Sequence, residues 1–162
     1  MSLQPEDGTG LSDADSYVSL PAATSYFTAM GWADWDDLTQ DEQEVALRKA
    51  TQYIDAKWDY YGDPITSTQS LAFPRTDSSG EAYDWPPRGL IAATCELAKL
   101  SRSADLFLDV GQRVVVSETV GPIKREFDHN RAVSQPIYSL VRSLIRHLIK
   151  GGASFLPIER TS

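Results

Sequence analysis

The side chains able to do chemistry in this 162-residue chain are few and scattered. Asp55 and Asp59 stand one helical turn apart, a spacing at which two carboxylates could share a cation; a pair of solvated acids on a helix face is the favoured reading. His129 and His147 are the two histidines, and neither sits at metal-ligand spacing. Cys95 is the single cysteine. Its neighbours Ala93, Leu97 and Ala98 predict a buried, inert thiol, and a lone cysteine excludes a disulfide or thiolate metal site within one chain. No Gly-x-Ser-x-Gly, phosphate-binding loop or Gly-x-Gly-x-x-Gly occurs. The expectation is a protein that is not an enzyme and uses no metal or cofactor.

What remains is the chemistry of binding. Arg142, Arg146 and Lys150 recur at four-residue steps and predict a basic row on one helix face, turned toward a DNA channel or an acidic partner. Single-strand binders combine such cations with stacking aromatic rings. Here the aromatics crowd the acidic half, beside Asp34, Asp36, Asp37, Asp59 and Asp63, and the basic row has none interleaved. The net charge of −8 is uneven. Residues 1–81 hold 15 Asp/Glu against 4 Lys/Arg, net −11; residues 82–162 hold 8 against 11, net +3. Opposite ends of that kind suit head-to-tail contact between copies, although acidic loops that are merely solvated are the commoner case.

The elements that must position these groups read mainly as helix. Length predicts one domain with a real core. Residues 1–13 are polar, carry Pro5, Gly8 and Gly10, and predict a flexible arm, ordered at most against a partner. Ser19 and Pro21 start a first helix that runs to about Met30 and buries Ala23, Tyr26, Phe27 and Met30, with Gly31 closing it. Trp32 and Trp35 follow and are expected to pack on the next helix, with ligand stacking the less favoured alternative. Thr39 and Glu42 form a capping box, acids crowd the first turn, and Ala46, Ala50, Tyr53, Ile54 and Trp58 make the apolar stripe of a central helix that Gly62 and Pro64 end. The Gly62–Trp85 connection is long enough to suggest a functional or partner-ordered loop. In it Arg75 pairs with a local acid such as Asp55 or Asp59, or contacts a neighbouring subunit. Pro86 and Pro87 open a third helix, about Arg88 to Asp105, with Leu90, Ala93, Thr94, Leu97 and Ala98 buried.

After Arg113 the period changes. Val114, Val116 and Val120 alternate with other residues, Gly121-Pro122 interrupts, and Lys124, Arg125 and Phe127 continue the run, which predicts a β-hairpin over 113–128. Its exposed edges could pair with another copy, or the hairpin could lie on its own helical body. Pro136 starts the last helix, with Ile137, Leu140, Val141, Leu144, Ile145, Leu148 and Ile149 on its apolar face. The 151–162 tail carries Phe155 and Leu156, apolar for a terminus and expected to dock on a partner or the body. No apolar run is long enough to span a membrane, and the N-terminus lacks the pattern of a signal peptide, so a cytoplasmic site of synthesis is expected. The fold expected is a mainly α, compact bundle of about four helices (14–150) with one β-hairpin inserted before the last.

Several stretches carry a family resemblance. Ala50-Thr51-Gln52-Tyr53-Ile54-Asp55, Trp58, Tyr61-Gly62, Leu71-Ala72-Phe73-Pro74-Arg75-Thr76, Pro87 and Ala93-Thr94-Cys95-Glu96-Leu97-Ala98 resemble a family of tailed-phage proteins. Asp15 to Leu20 and Glu118 to Pro122 also fit, so the likeness runs from about Ala14 to Lys150. The family is described either as head–tail connectors (adaptors) or as DnaT-like single-stranded-DNA-binding proteins. The connector resemblance implies a homo-oligomeric ring, commonly twelvefold, under the portal protein. It would meet a stopper or tail-completion protein below and let packaged DNA pass without sequence-specific binding. The protein would be made in the bacterial host cytoplasm and reside in the virion neck. Arg75, Val114, Val116, Glu118, Lys124, Arg125, Phe127, Phe155 and Leu156 are then the expected oligomer or partner contacts. The alternative is a replication accessory that binds single-stranded DNA.

Overall fold

A computed structural model of the chain describes residues 2–77, 79–107 and 138–150. Four α-helices carry the core: α1 (Leu20–Ala29), α2 (Gln40–Lys57), α3 (Leu90–Leu100) and α4 (Ser139–Ile145), with a 3-10 turn at Ala33–Trp35. α3 is central and packs against α1, α2 and α4. The expectation of a mainly helical chain holds, but that of a β-hairpin does not. Among the described residues there is no strand, only the isolated bridges Pro5–Ser16, Tyr60–Ile149, Pro64–Arg75 and Thr76–Ala82. The four helices bury their apolar faces on one another, so this core closes without a sheet. Residues 113–128, and with them Val114, Val116, Glu118, Lys124, Arg125 and Phe127, lie outside the described residues, as do His129, the 151–162 tail, Phe155 and Leu156.

Local signals place the helices well. The Thr39 hydroxyl accepts from the Glu42 N–H while the Glu42 carboxylate accepts from the Thr39 N–H, so two free donors of α2 are satisfied reciprocally. Ala46, Ala50, Tyr53 and Ile54 are buried, as is the whole expected stripe of α3. Tertiary packing overrides the pattern elsewhere. Met30 is 62% exposed, because α1 turns Ala23 and Phe27 inward and ends one residue earlier. Trp32 and Trp35 pack on α1: their rings lie 4.6 and 4.5 Å from that of Phe27, and the Trp35 indole N–H donates to Thr24, while Gln43 of α2 donates to the Trp35 carbonyl. The last helix is shorter than expected. Past Ile145 the chain turns, and the Tyr61 N–H donates to the Leu148 carbonyl while the Lys150 N–H donates to Asp59. Backbone pairing with residues 59–61 replaces further helical bonds.

The N-terminal segment, expected as a flexible arm, is tied to the body. Leu3 and Glu6 are buried. Both Glu6 oxygens accept backbone N–H groups, from Gly8, Gly10 and Leu11, each at 2.9 Å, which closes the loop around the carboxylate. Asp15 bridges to Arg48 of α2 at 2.6 Å, and Arg48 also reaches Glu44.

Asp55 is the junction of three segments. It lies half-buried on α2 and accepts from the Tyr17 hydroxyl and from the Ala72 N–H. The Tyr17 oxygen in turn accepts from the Phe73 N–H at 3.2 Å. Phe73 is fully buried between the rings of Tyr17 and Tyr60. The solvated-acid reading of the Asp55 and Asp59 pair therefore fails for Asp55; Asp59 alone is exposed. Arg75 donates to the carbonyls of Tyr61, Gly62 and Ala72, so hydrogen bonds within its own loop occupy its guanidinium. Gly62 has φ of 70°, and a Cβ there would fall 1.6 Å from the Thr76 carbonyl oxygen, so the turn that admits this loop requires glycine.

Burial pushes the Asp55 carboxyl up from 3.8 to about 6, against the lowering effect of its two donors. The folded chain then holds that proton more tightly than the unfolded chain, so this group favours folding as pH falls from above 6 toward 4 and opposes it as pH rises through 6. Asp55→Asn leaves one acceptor for two donors and should cost about 1–3 kcal/mol. In urea unfolding, the stability advantage of wild type over Asp55→Asn should widen from about pH 8 to about pH 5; a pH-independent gap would contradict the buried carboxyl.

Candidate nucleic-acid interface

The segment Tyr138–Lys150 contains Arg142, Arg146, His147 and Lys150 and no acid. All four side chains are exposed. Arg142 lies in the last turn of α4 and Arg146 caps it, where cations complement the helix dipole. Lys150 lies beyond the helix, on the stretch paired with residues 59–61. The expected row of three on one helix face is thus broken after Arg146, although all three cations stay on one contiguous stretch.

A fourth cation joins them from another element. Gly89, which caps α3 with φ of 81°, sits so close to α4 that a Cβ would lie 2.3 Å from the Leu144 carbonyl oxygen. That approach brings Arg88 beside the end of α4. Partial burial, and then the charges of Arg88 and Arg146, hold the His147 imidazole below its usual value. Three nitrogenous side chains from two elements therefore converge there.

The aromatic complement is tertiary. Tyr53 of α2 is the hub, with the rings of Trp58, Phe107 and Tyr138 edge-on to it at 5.9, 5.7 and 5.6 Å. Tyr138 is half-buried and Phe107 is 45% exposed. Tyr138 precedes Arg142 by one helical turn, and its carbonyl accepts the Arg142 N–H. Leu140, expected on the apolar face, is 57% exposed on the same helix. Sequence reasoning found the basic row and missed both the rings beside it and Arg88 with His147. The Tyr138–Arg142 spacing was the one local sign; the other partners are far apart in sequence.

Part of the acidity of the first half is engaged within the fold. Glu6 holds a loop, Asp15 and Glu44 hold Arg48, Asp55 lies in the junction above, and Asp77 accepts from Ser79 and Glu81 in a turn. Cys95 is buried, and that burial pushes its thiol up to about 12, so it is a weak nucleophile. Among the described residues no three His, Cys, Asp or Glu side chains are grouped to hold a metal ion, and no helix is long and apolar enough to cross a membrane.

The family described as "Putative DnaT-like ssDNA binding protein" matches residues 1–161. The chain belongs to that family. No curated protein and no solved structure matches it.

Removing either neighbouring charge should release His147. Arg88→Ala and Arg146→Ala are each expected to raise its pKa, read from the imidazole resonances in an NMR titration. An unchanged titration in both variants would mean the three groups do not share one field.

Proposed function

We propose that this protein binds single-stranded DNA through the basic end formed by α4 and the start of α3, with the Tyr53-centred aromatic cluster as its apolar flank. One observation carries the reading: a member of a DnaT-like family presents Arg88, Arg142, Arg146 and Lys150 on adjoining elements, with Arg142 one helical turn from Tyr138 of a ring cluster that tertiary packing gathers. Cations neutralise backbone phosphates, and aromatic faces stack on bases without regard to sequence. The overall charge of −8 opposes approach of DNA. That repulsion is screened over about 8–10 Å at physiological salt, so local charge decides the contact. The reading assigns no bond-making step, metal or cofactor to the chain.

A second reading is structural: a head–tail connector ring beneath a phage portal. The uneven charge, −11 in residues 1–81 and +3 in residues 82–162, supports it, because copies could meet acidic side to basic side. In that case the basic end would face the DNA channel or an acidic neighbour in the neck.

Titrating oligothymidylate across a salt series separates the two. Under the first reading affinity falls as salt rises, and Arg142→Ala or Arg146→Ala each lowers the slope of log K against log salt by about 0.7. Absence of binding at low salt, with closed rings in negative-stain electron microscopy when portal is added, would favour the connector.

A further inference from the structure

Where α2 passes the end of α3, Lys49, Ser101, Arg102, Ser103, Leu106 and Phe107 line an open cavity of about 460 Å³. Of its lining, only Phe107 belongs to the interface above. The volume falls in the range of about 300–1,000 Å³ that small-molecule sites occupy. Its wall is an exposed aromatic ring, Phe107, beside buried Leu106, and its rim carries two exposed cations, Lys49 and Arg102. Asp105 is the one acid in the lining, and its carboxylate accepts the Phe107 N–H at 3.0 Å, which engages it with the backbone. The hydroxyls of Ser101 and Ser103 donate to the carbonyls of Ala98 and Leu100, leaving their oxygens able to accept. Arg102 meets Glu42 at 3.4 Å, with both side chains well exposed, a pairing weak enough for another anion to displace.

An exposed aromatic ring next to two cations and hydroxyl acceptors is the chemistry that takes up a nucleotide: a base on the ring and a phosphate at the cations. Ring contacts link the cavity to the interface. Phe107 meets Tyr53, and Tyr53 meets Tyr138, one turn from Arg142. We infer that this cavity is a nucleotide subsite, in which Phe107 stacks on one base of a bound single strand while Lys49 and Arg102 hold the adjoining phosphate. The strand would run from here across the Tyr53 cluster to the basic end of α4. The inference rests on the single-stranded-DNA reading and adds the residue that stacks.

Oligothymidylate carrying one 2-aminopurine tests it with the full chain. Phe107→Leu keeps the packing on Tyr53 but has no ring face; it should weaken binding roughly tenfold with the salt slope unchanged, and abolish the stacking quench of 2-aminopurine fluorescence. Phe107→Tyr should restore both. Lys49→Ala should lower the salt slope by about 0.7 and leave the quench. If Phe107→Leu melts early, the Phe107→Tyr and Lys49→Ala results carry the test. Should Phe107→Leu bind and quench as wild type while Arg146→Ala weakens binding, the subsite is wrong and the single-strand reading stands. Should wild type bind no oligothymidylate at low salt, both fall together.

Discussion

A half-buried carboxylate on α2 holds together three parts of the chain that are distant in sequence. Asp55 takes the Tyr17 hydroxyl from the N-terminal segment and the Ala72 N–H from the 62–85 connection, while Tyr17 takes the Phe73 N–H. Each partner alone would be an unsatisfied polar group in a poorly solvated place. Together they fix where Phe73 enters the core, and Tyr60 packs against Phe73 with its own hydroxyl donating to the Ile54 carbonyl. Tyr60 and its neighbours then give α4 its return path, through the bridge to Ile149 and the bond from Lys150 to Asp59. The position of the basic end thus depends on a junction that contains no group of that end.

Carboxylates serve the same purpose elsewhere. Glu6 organises residues 6–11 around itself, and Asp15 and Glu44 fix Arg48. An acidic protein that spends its acids on loop closure can still offer a cationic surface. Four exposed acids, Asp34, Asp36, Asp37 and Asp41, lie around the 3-10 turn and the start of α2, where Asp41 complements the helix dipole, and others, Asp59 and Asp63 among them, stay exposed elsewhere.

The sequence made helix starts and buried stripes legible because those signals are local. Thr39 with Glu42 marks α2 unambiguously, and the α3 stripe from Leu90 to Ala98 reads directly from its period. What it hid was non-local. Asp55 looks like any exposed acid until Tyr17 arrives from 38 residues away. The arm at 2–13 looks flexible by composition, and only the convergence of three N–H groups on Glu6 shows otherwise. The end of α4 at Ile145 follows from pairing with residues 59–61, which no helical periodicity encodes. The candidate interface was half legible for the same reason: its cations sit on one stretch, while its rings come from α2, the end of α3 and the start of α4.

The central claim is one of place: single-stranded DNA meets the basic end of α4 and the aromatic cluster beside it. Mapping amide shifts in an NMR titration with unlabelled oligothymidylate tests that most directly. The account predicts shifts concentrated at Arg88, Phe107 and Tyr138 to Lys150, with the amides of Asp34 to Asp41 unmoved. Shifts centred on the acidic turn, or none at low salt, would contradict it.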